Sequence, residues 1–348
     1  MEQKIALIGF GTVGQGLCEI LLSKKEYLKS KYGFEASIVA ISDVLKGAVY
    51  CKEGLDIQRC LSLVNSGKML EEYACKNSDC RCEKSWDAIR TIKETNANVI
   101  CELTYTNVKT GEPAITHCKT AFKNGKHIVT SNKGPAALQY SELIKLAQEN
   151  NVKFKIEGTV LSGTPVLNLV NGPLAGCEIT AIKGILNGTT NYMLSEMEVG
   201  MTYDAVLEKA QDLGYAEADP TGDVEGFDAT AKVIILSNVV MNVRINASDV
   251  DRHGITNITP EMISDAQKEN SRWKLIGSIK KVKEGIKASV KPEKLPLTHP
   301  LANIMGATNA LTFTTDLLGD VTIIGAGAGK IETGYSILTD ILEIHRKQ

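Results

Sequence analysis

Five carboxylates crowd into twelve residues of this chain: Glu217, Asp219, Asp223, Glu225 and Asp228. Pro220 and Gly222 mark a turn that can hold Glu217 and Asp223 convergently. Lys232 stands four residues after Asp228, so on a helix the two share a face. The residues that follow, Val233 to Leu236, are apolar. A lysine beside such a run lies near buried surface, where its proton affinity is open to tuning. Carboxylates grouped with one lysine can bind a cationic substrate group and exchange a proton at a reacting oxygen. A solvated acidic loop is the plainer alternative. A second lysine, Lys133, lies in Thr130-Ser131-Asn132-Lys133-Gly134-Pro135, directly after a run with strand character. Open parallel sheets bind ligands beyond the carboxyl ends of their strands, so this position also suits chemistry. A solvated turn lysine is the alternative there.

The third signal is Gly9-Phe10-Gly11-Thr12-Val13-Gly14. A G-x-G-x-x-G element says little alone, but this one follows a β run and opens a helix, the context a dinucleotide needs. Gly9 permits the tight turn, Gly11 leaves room for a pyrophosphate, and Gly14 lets helix and strand approach. The helix N-terminus offers N–H groups to phosphate. A purely structural βα turn is the alternative. The next strand ends at Asp43, with Lys46 three residues on. Asp43 can accept from the ribose hydroxyls of NAD, and Lys46 can meet the 2′-phosphate of NADP, so both cofactors stay open.

These groups need a scaffold, and the periodicity supplies one. Ile5 to Ile8 reads as a strand, and 12–30 as an amphipathic helix with Val13, Leu17, Ile20 and Leu21 on one face. Phe34 to Ile41, Val99 to Leu103, His127 to Thr130 and Val152 to Ile156 read as strands, with helices over Ile115 to Asn124 and Tyr140 to Asn150. Such alternation predicts a parallel sheet covered on both faces. Residues 47–87 interrupt it with a charged, Cys-rich excursion, expected to be helical near 67–75. From about Gly158 turn signals recur, and alternation returns over 279–290, which predicts a mixed α+β unit. Val233 to Val243 reads as a core helix broken by Ser237 and Asn238. Gly325 to His345 reads as a glycine-rich turn and a helix that packs back on the first domain. The expected class is α/β: a Rossmann-type dinucleotide-binding domain, 1–150 completed by 320–348, and a second α+β domain, 151–319, to which the family likeness given below adds catalysis and dimerisation.

With 39 Lys plus Arg against 41 Asp plus Glu, the formal charge is -2. That balance offers no general attraction for nucleic acid or anionic lipid, and no apolar run is long enough for a signal peptide or membrane span. A cytoplasmic protein is expected. Of nine cysteines, Cys51, Cys60, Cys75, Cys80 and Cys82 lie close in sequence without Cys-x-x-Cys pairs, so ordinary reduced thiols are expected there in preference to a metal site. The five histidines form no cluster of metal-ligand spacing. His299 is read as a loop residue, with a place near the cleft as the alternative.

Taken together, these segments resemble the homoserine dehydrogenase family. The likeness rests on the glycine loop, on Ser131-Asn132-Lys133, on Glu157-Gly158-Thr159-Val160 and on Gly184 through Tyr192. It continues through Ala210 to Lys232, which is the specific signature, and Gly325-Ala326-Gly327-Ala328-Gly329. The resemblance implies reversible NAD- or NADP-dependent interconversion of L-homoserine and L-aspartate 4-semialdehyde, in a homodimer, within threonine, methionine and isoleucine biosynthesis. It implies Lys232 as acid/base, Lys133 as a second catalytic lysine at the cofactor, and Asp228 as support. Glu217, Asp223, Asn187, Gly188 and Thr189 would meet the substrate. Gly9, Phe10, Gly11, Thr12, Val13, Gly14, Asp43, Lys46, Thr104, Lys133 and Gly329 would line the cofactor. Glu157 and the carbonyls of Val160, Ser162 and Thr164 would ligate a monovalent cation, Na⁺ or K⁺, since oxygen ligation through mostly neutral groups suits a hard ion of low charge. Glu157 as a structural carboxylate is the alternative.

The chain departs from the family pattern in three places. Glu102-Leu103-Thr104-Tyr105-Thr106-Asn107 stands where many relatives carry paired glycines, Thr333-Gly334-Tyr335 differs from a usual Thr-Ala, and the 47–87 excursion has no counterpart. No appended kinase or regulatory ligand-binding domain is expected within these residues. An acylating semialdehyde dehydrogenase would need a nucleophilic cysteine, and Cys101, Cys118 and Cys177 lack an evident histidine partner. A nucleotide sensor without turnover is the remaining alternative.

Overall fold

The computed structural model describes residues 2–75 and 81–346. The chain divides into two compact units, Met1–Gly163 with Gly329–Gln348, and Thr164–Ala328. The divisions fall later than 150/151 and 319/320. The short strand after 150 pairs within the first sheet, and the strand beginning at Gly319 pairs within the second.

In the first unit the order is β1 (Gln3–Ile8), α1 (Thr12–Ser23), α2 (Lys25–Tyr32), β2 (Ala36–Asp43), β3 (Gly47–Tyr50), α3 (Ile57–Asn65), β4 (Glu83–Lys84), α4 (Ala88–Glu94), β5 (Val99–Glu102), α5 (Ala114–Lys123), β6 (His127–Thr130), α6 (Lys133–Leu138), α7 (Tyr140–Glu149) and β7 (Phe154–Lys155). Among the described residues the sheet order is β4-β3-β2-β1-β5-β6-β7. β2, β1, β5, β6 and β7 run parallel, while β3 and β4 are antiparallel additions. The central strand β1 carries Ile5, Ala6, Leu7 and Ile8, all buried, as a strand covered on both faces must be.

Several elements differ from expectation. The helix over 12–30 is two, broken at Lys24, and the second buries only Leu28 before Gly33 ends it in the left-handed region. In the excursion the helix lies at 57–65, not 67–75. Asp56 caps its start by accepting from Arg59 N–H, and Gly67 turns the chain away, leaving a single 3₁₀ turn at Leu70–Glu72. Cys75 and Cys82 are joined by a disulfide, which corrects the expectation of reduced thiols throughout. Cys80 lies outside the described residues.

The last helix, α14 (Lys330–Arg346), belongs to this unit. Ile337, Leu338, Ile341 and Ile344 share one core with Leu7, Phe10, Leu17 and Ile41. Its backbone lies hard against α1. A methyl group on Gly16 would sit 2.1 Å from the Lys330 carbonyl oxygen, and one on Gly334 2.6 Å from the Leu17 nitrogen. Gly334 is therefore a packing requirement here.

The second unit contains α8 (Leu167–Asn171), β8 (Ile179–Ile185), α9 (Gly188–Met197), α10 (Tyr203–Asp212), α11 (Thr221–Val224), α12 (Phe227–Leu236), β9 (Val250–Arg252), α13 (Pro260–Lys268), β10 (Ser271–Val282), β11 (Gly285–Pro296), β12 (Thr308–Thr315) and β13 (Gly319–Ala326). Its sheet order is β13-β12-β8-β10-β11-β9, antiparallel except for the β9–β11 pair. The core helix expected over 233–243 ends at Leu236 and passes into a π turn, Ser237–Met241, closed by Asn242 in the left-handed region. The Ser237 hydroxyl donates to the Val243 carbonyl, tying the chain that leaves the turn back to its start. Among the described residues no helix is long and apolar enough to cross a membrane.

Candidate active site

The first unit presents its glycine loop at the carboxyl end of β1. Gly9 has φ +98°, and a Cβ there would meet the Leu103 carbonyl oxygen at 2.5 Å. A Cβ on Gly11 would meet nothing within 4 Å, so that side of the loop is open for a phosphate to approach. No side-chain hydrogen bond caps the start of α1 at Gly11, so the first-turn N–H groups, which no carbonyl within the helix can satisfy, have no cap there. Phe10 is different. Its side chain is fully buried, its N–H donates to Asp43 Oδ2 at 2.6 Å, and its carbonyl accepts from Gln15 Nε2. Asp43 thus braces the loop. Its Oδ1 also accepts from the backbone N–H groups of Leu45 and Lys46. Lys46 is half-buried on the same turn.

At the ends of β5 and β6 lies a network that the sequence reading missed. Glu102 is fully buried, 3.2 Å from His117 Nδ1, and accepts from the Thr104 hydroxyl. Thr130 Oγ1 donates to the Glu102 carbonyl at 2.6 Å, and Asn132 Nδ2 donates to the Thr104 carbonyl at 3.2 Å. Asn132 Oδ1 caps α6 by accepting from Gly134 N–H, which fixes Lys133 as the first residue of that helix. The available signal was an acid closing an otherwise apolar strand. Thr104 is held by this network.

Glu157 is 2% exposed in a 3₁₀ turn after β7, with its N–H donating to Asp340. Val160 and Ser162 are buried on the same stretch, and Ser162, at φ +53°, pairs its hydroxyl with Thr333. Thr164 opens the second unit, where its hydroxyl donates to the Ala326 carbonyl. Gly329, at φ +136°, starts the return into the first unit, and a side chain there would strike Glu332.

In the second unit the acidic cluster resolves into a compact constellation. Lys232 is buried on α12, 2.9 Å from Asp228 Oδ2, and donates to the Leu186 carbonyl at 2.6 Å. Asn187 Nδ2 donates to both Asp223 Oδ1 (2.6 Å) and Asp228 Oδ2 (3.1 Å). Its Oδ1 accepts from Thr190 N–H and so caps α9. Burial pushes the Asp223 carboxyl above its ordinary range, and the neighbouring charge of Asp228 adds to this, against opposing contributions from Asn187 and Lys232. Gly188 is required, since a Cβ would lie 2.7 Å from the Ala307 carbonyl oxygen, and Thr189 donates to the Tyr215 carbonyl. The structure therefore gathers Asn187, Asp223, Asp228 and Lys232. Glu217 is exposed, with its carbonyl accepting from Gln211. His299 caps the 3₁₀ turn at Pro300–Asn303 through Nδ1, a local structural task. Asn309 was missed by sequence reading: its amide is fully buried against Gly188 and Gly327, with neither polar atom hydrogen-bonded among the described residues.

A Rossmann unit with an open glycine loop, followed by a unit in which a buried lysine is paired with a carboxylate, defines an NAD(P)-dependent oxidoreductase. The family pattern described as homoserine dehydrogenase matches residues 165–342, and that described as homoserine dehydrogenase, NAD binding domain, matches residues 9–157. The chain is 43% identical over 346 residues to an NAD(+)-dependent homoserine dehydrogenase of Pseudomonas canavaninivorans, covering 99% of this chain and 97% of that one. It is 42% identical to a homoserine dehydrogenase of Methanocaldococcus jannaschii, covering 98% of each. A hyperthermophilic archaeal homoserine dehydrogenase solved in complex with NADPH superposes with a TM-score of 0.83 at 30% identity, covering 100% of this chain and 99% of that one. The chain belongs to the homoserine dehydrogenase family.

Proposed function

We propose that the chain interconverts L-homoserine and L-aspartate 4-semialdehyde reversibly, on the route to threonine, methionine and isoleucine, as a homodimer. The observation that carries this reading is the Asn187–Asp223–Asp228–Lys232 constellation. When bound, NAD(P)H supplies the hydride to the aldehyde carbon, and negative charge grows on the aldehyde oxygen. Lys232 has three N–H donors, of which two are directed at Asp228 and Leu186. The third is the one we assign to the reacting oxygen, where it stabilises the charge and delivers the proton. In the reverse direction the same nitrogen receives the hydroxyl proton. Asp228, 2.9 Å away, keeps the lysine aimed. Asp223, joined by Glu217, pairs with the substrate ammonium, and the N–H groups of Gly188 and Thr189 receive its carboxylate.

In the first unit, Gly9, Gly11, Thr12, Val13 and Gly14 cradle the pyrophosphate, with Phe10 buried beneath as support. Asp43 and Lys46 address the ribose end, and Thr104, Lys133 and Gly329 the nicotinamide end. Lys133 acts as the second catalytic lysine. Both NAD and NADP are expected to support turnover, because attraction and repulsion at an exposed ribose end are each worth only about 1 kcal/mol or less. The buried carboxylate of Glu157, beside the buried stretch of Val160 and Ser162, suits a monovalent cation, with Thr164 as a further carbonyl donor; the ion would be structural.

The test is oxidation of L-homoserine with each cofactor, read as reduced cofactor formed. Folded protein that produces none with either cofactor would overturn the proposal.

A further inference from the structure

Cys51, Cys75 and Cys82 converge more closely than one disulfide requires. The three sulfurs all lie within 4.8 Å of one another. Zinc bound tetrahedrally at about 2.3 Å holds its sulfur ligands roughly 3.8 Å apart, so these three need only small shifts to surround one ion. They come from separate places. Cys51 follows β3, is buried, and donates its N–H to the Val39 carbonyl at 2.9 Å. Cys75 follows the Leu70–Glu72 turn, and Cys82 directly precedes β4, which pairs with β3. A solvent-open cleft lined by Cys51, Asp56, Tyr73 and Cys75 gives an ion a way in.

The surrounding chain has reason to be stapled. Between 66 and 87, among the described residues, only Leu70 and Tyr73 are buried. A segment with so little core is held by a cross-link or a metal. It also reaches the cofactor unit's working edge, since Glu71 accepts from Ala48 N–H and Leu70 N–H donates to the Lys46 carbonyl.

We propose that Cys51, Cys75 and Cys82 form a thiolate site for one soft divalent cation of the zinc class, taken up when the Cys75–Cys82 bond is reduced. A dithiol reductant breaks that S–S bond with two electrons and two protons, leaving two cysteine thiols and one cyclic disulfide of the reductant. Binding of the ion by three cysteines then releases up to three protons to solvent. Three sulfurs leave the fourth tetrahedral position to water, and sulfur ligation selects against magnesium or calcium.

The experiment uses the full chain, reduced with excess dithiol, stripped of metal, desalted under argon and titrated with Co²⁺ alone, then with Zn²⁺ alone. One equivalent of Co²⁺ per chain should bind with intense near-ultraviolet sulfur-to-cobalt charge transfer, and Zn²⁺ should displace it. Oxidised protein should bind neither ion. Cys51→Ser should weaken Co²⁺ binding by more than the roughly 10–100-fold typical of losing a supporting partner, yet still form the Cys75–Cys82 disulfide on oxidation. Cys82→Ser, at a less buried position, repeats the test should Cys51→Ser fail to melt cooperatively. Absence of sulfur charge transfer in the folded, reduced parent would overturn the proposal. So would binding by either folded variant that matched the parent, or binding by fully oxidised protein.

Discussion

Replacing Asp43 by alanine separates two tasks that the sequence alone assigned as one. The carboxylate accepts from the N–H groups of Phe10, Leu45 and Lys46. Leu45 is 78% exposed, so its N–H returns to water when the carboxylate is lost. Phe10 is 0% exposed, so its N–H stays dry and unpaired, at a cost of about 1–3 kcal/mol. That loss falls on the loop, and hence on NAD and NADP alike. The ribose end adds a smaller, selective part. NAD loses a hydrogen bond worth roughly 0.5–1.5 kcal/mol, and NADP is relieved of a repulsion of about 1 kcal/mol at most. The ratio of kcat/KM should move toward NADP by roughly 2- to 60-fold, at 1.4 kcal/mol per factor of ten, while the Tm falls by several degrees. Steady-state kinetics with both cofactors and a melting curve measure all three quantities. An unchanged Tm would refute the brace. A ratio that moved less than twofold, or toward NAD, would refute the ribose assignment.

Further outcomes follow from the same geometry. Lys232→Met keeps the volume and removes the charge, so kcat should fall a few hundredfold, about 3–4 kcal/mol, with KM little changed; a kcat within threefold of the parent rules the lysine out as acid/base. Asp223→Asn should lose substrate binding yet raise the Tm at pH 7. The native carboxyl is held above its ordinary range, so its ionisation opposes folding at pH above that raised value and is without effect where both folded and unfolded forms are protonated. The gain should therefore vanish toward pH 3, and a lower Tm at pH 7 would contradict it. Burial lowers Lys274 to about 8, so between pH 8 and 10 the folded chain holds fewer protons than the unfolded one, and this group's contribution to stability rises with pH. Lys274→Met should flatten that rise in a pH series of melting curves. Lys46→Ala should move the cofactor ratio toward NAD by no more than about fivefold, since one ion pair open to solvent is worth about 1 kcal/mol or less.

The parallel sheet was legible because its strands are apolar runs divided by helical periodicity, and His127–Thr130 was read to the residue. Asp228 and Lys232 were legible because four-residue spacing means one thing on a helix. Asn187, which joins Asp223 to Asp228, was readable only through the family likeness, because its partners lie 36 and 41 residues away. The same limit hid the Glu102–His117 pair, which forms across two elements. The break at Lys24 escaped because residues 25–32 keep a helical composition and only the direction changes. In the excursion, cap chemistry at Asp56 decided the helix position, and periodicity was a poor guide. The disulfide was unreadable because spacing does not reveal which sulfurs meet.

The place of α14 bears on how the chain is made. A ribosome releases the glycine loop and every strand of the first sheet early, then must deliver the whole of Thr164–Ala328 before the last helix emerges. At roughly 5–20 residues per second, that wait is on the order of ten seconds or more. Throughout it, Leu7, Phe10 and Leu17 lack the Ile337, Leu338 and Ile341 with which they share a core. The nascent first unit is thus an adhesive, unfinished body, a natural client for a chaperone.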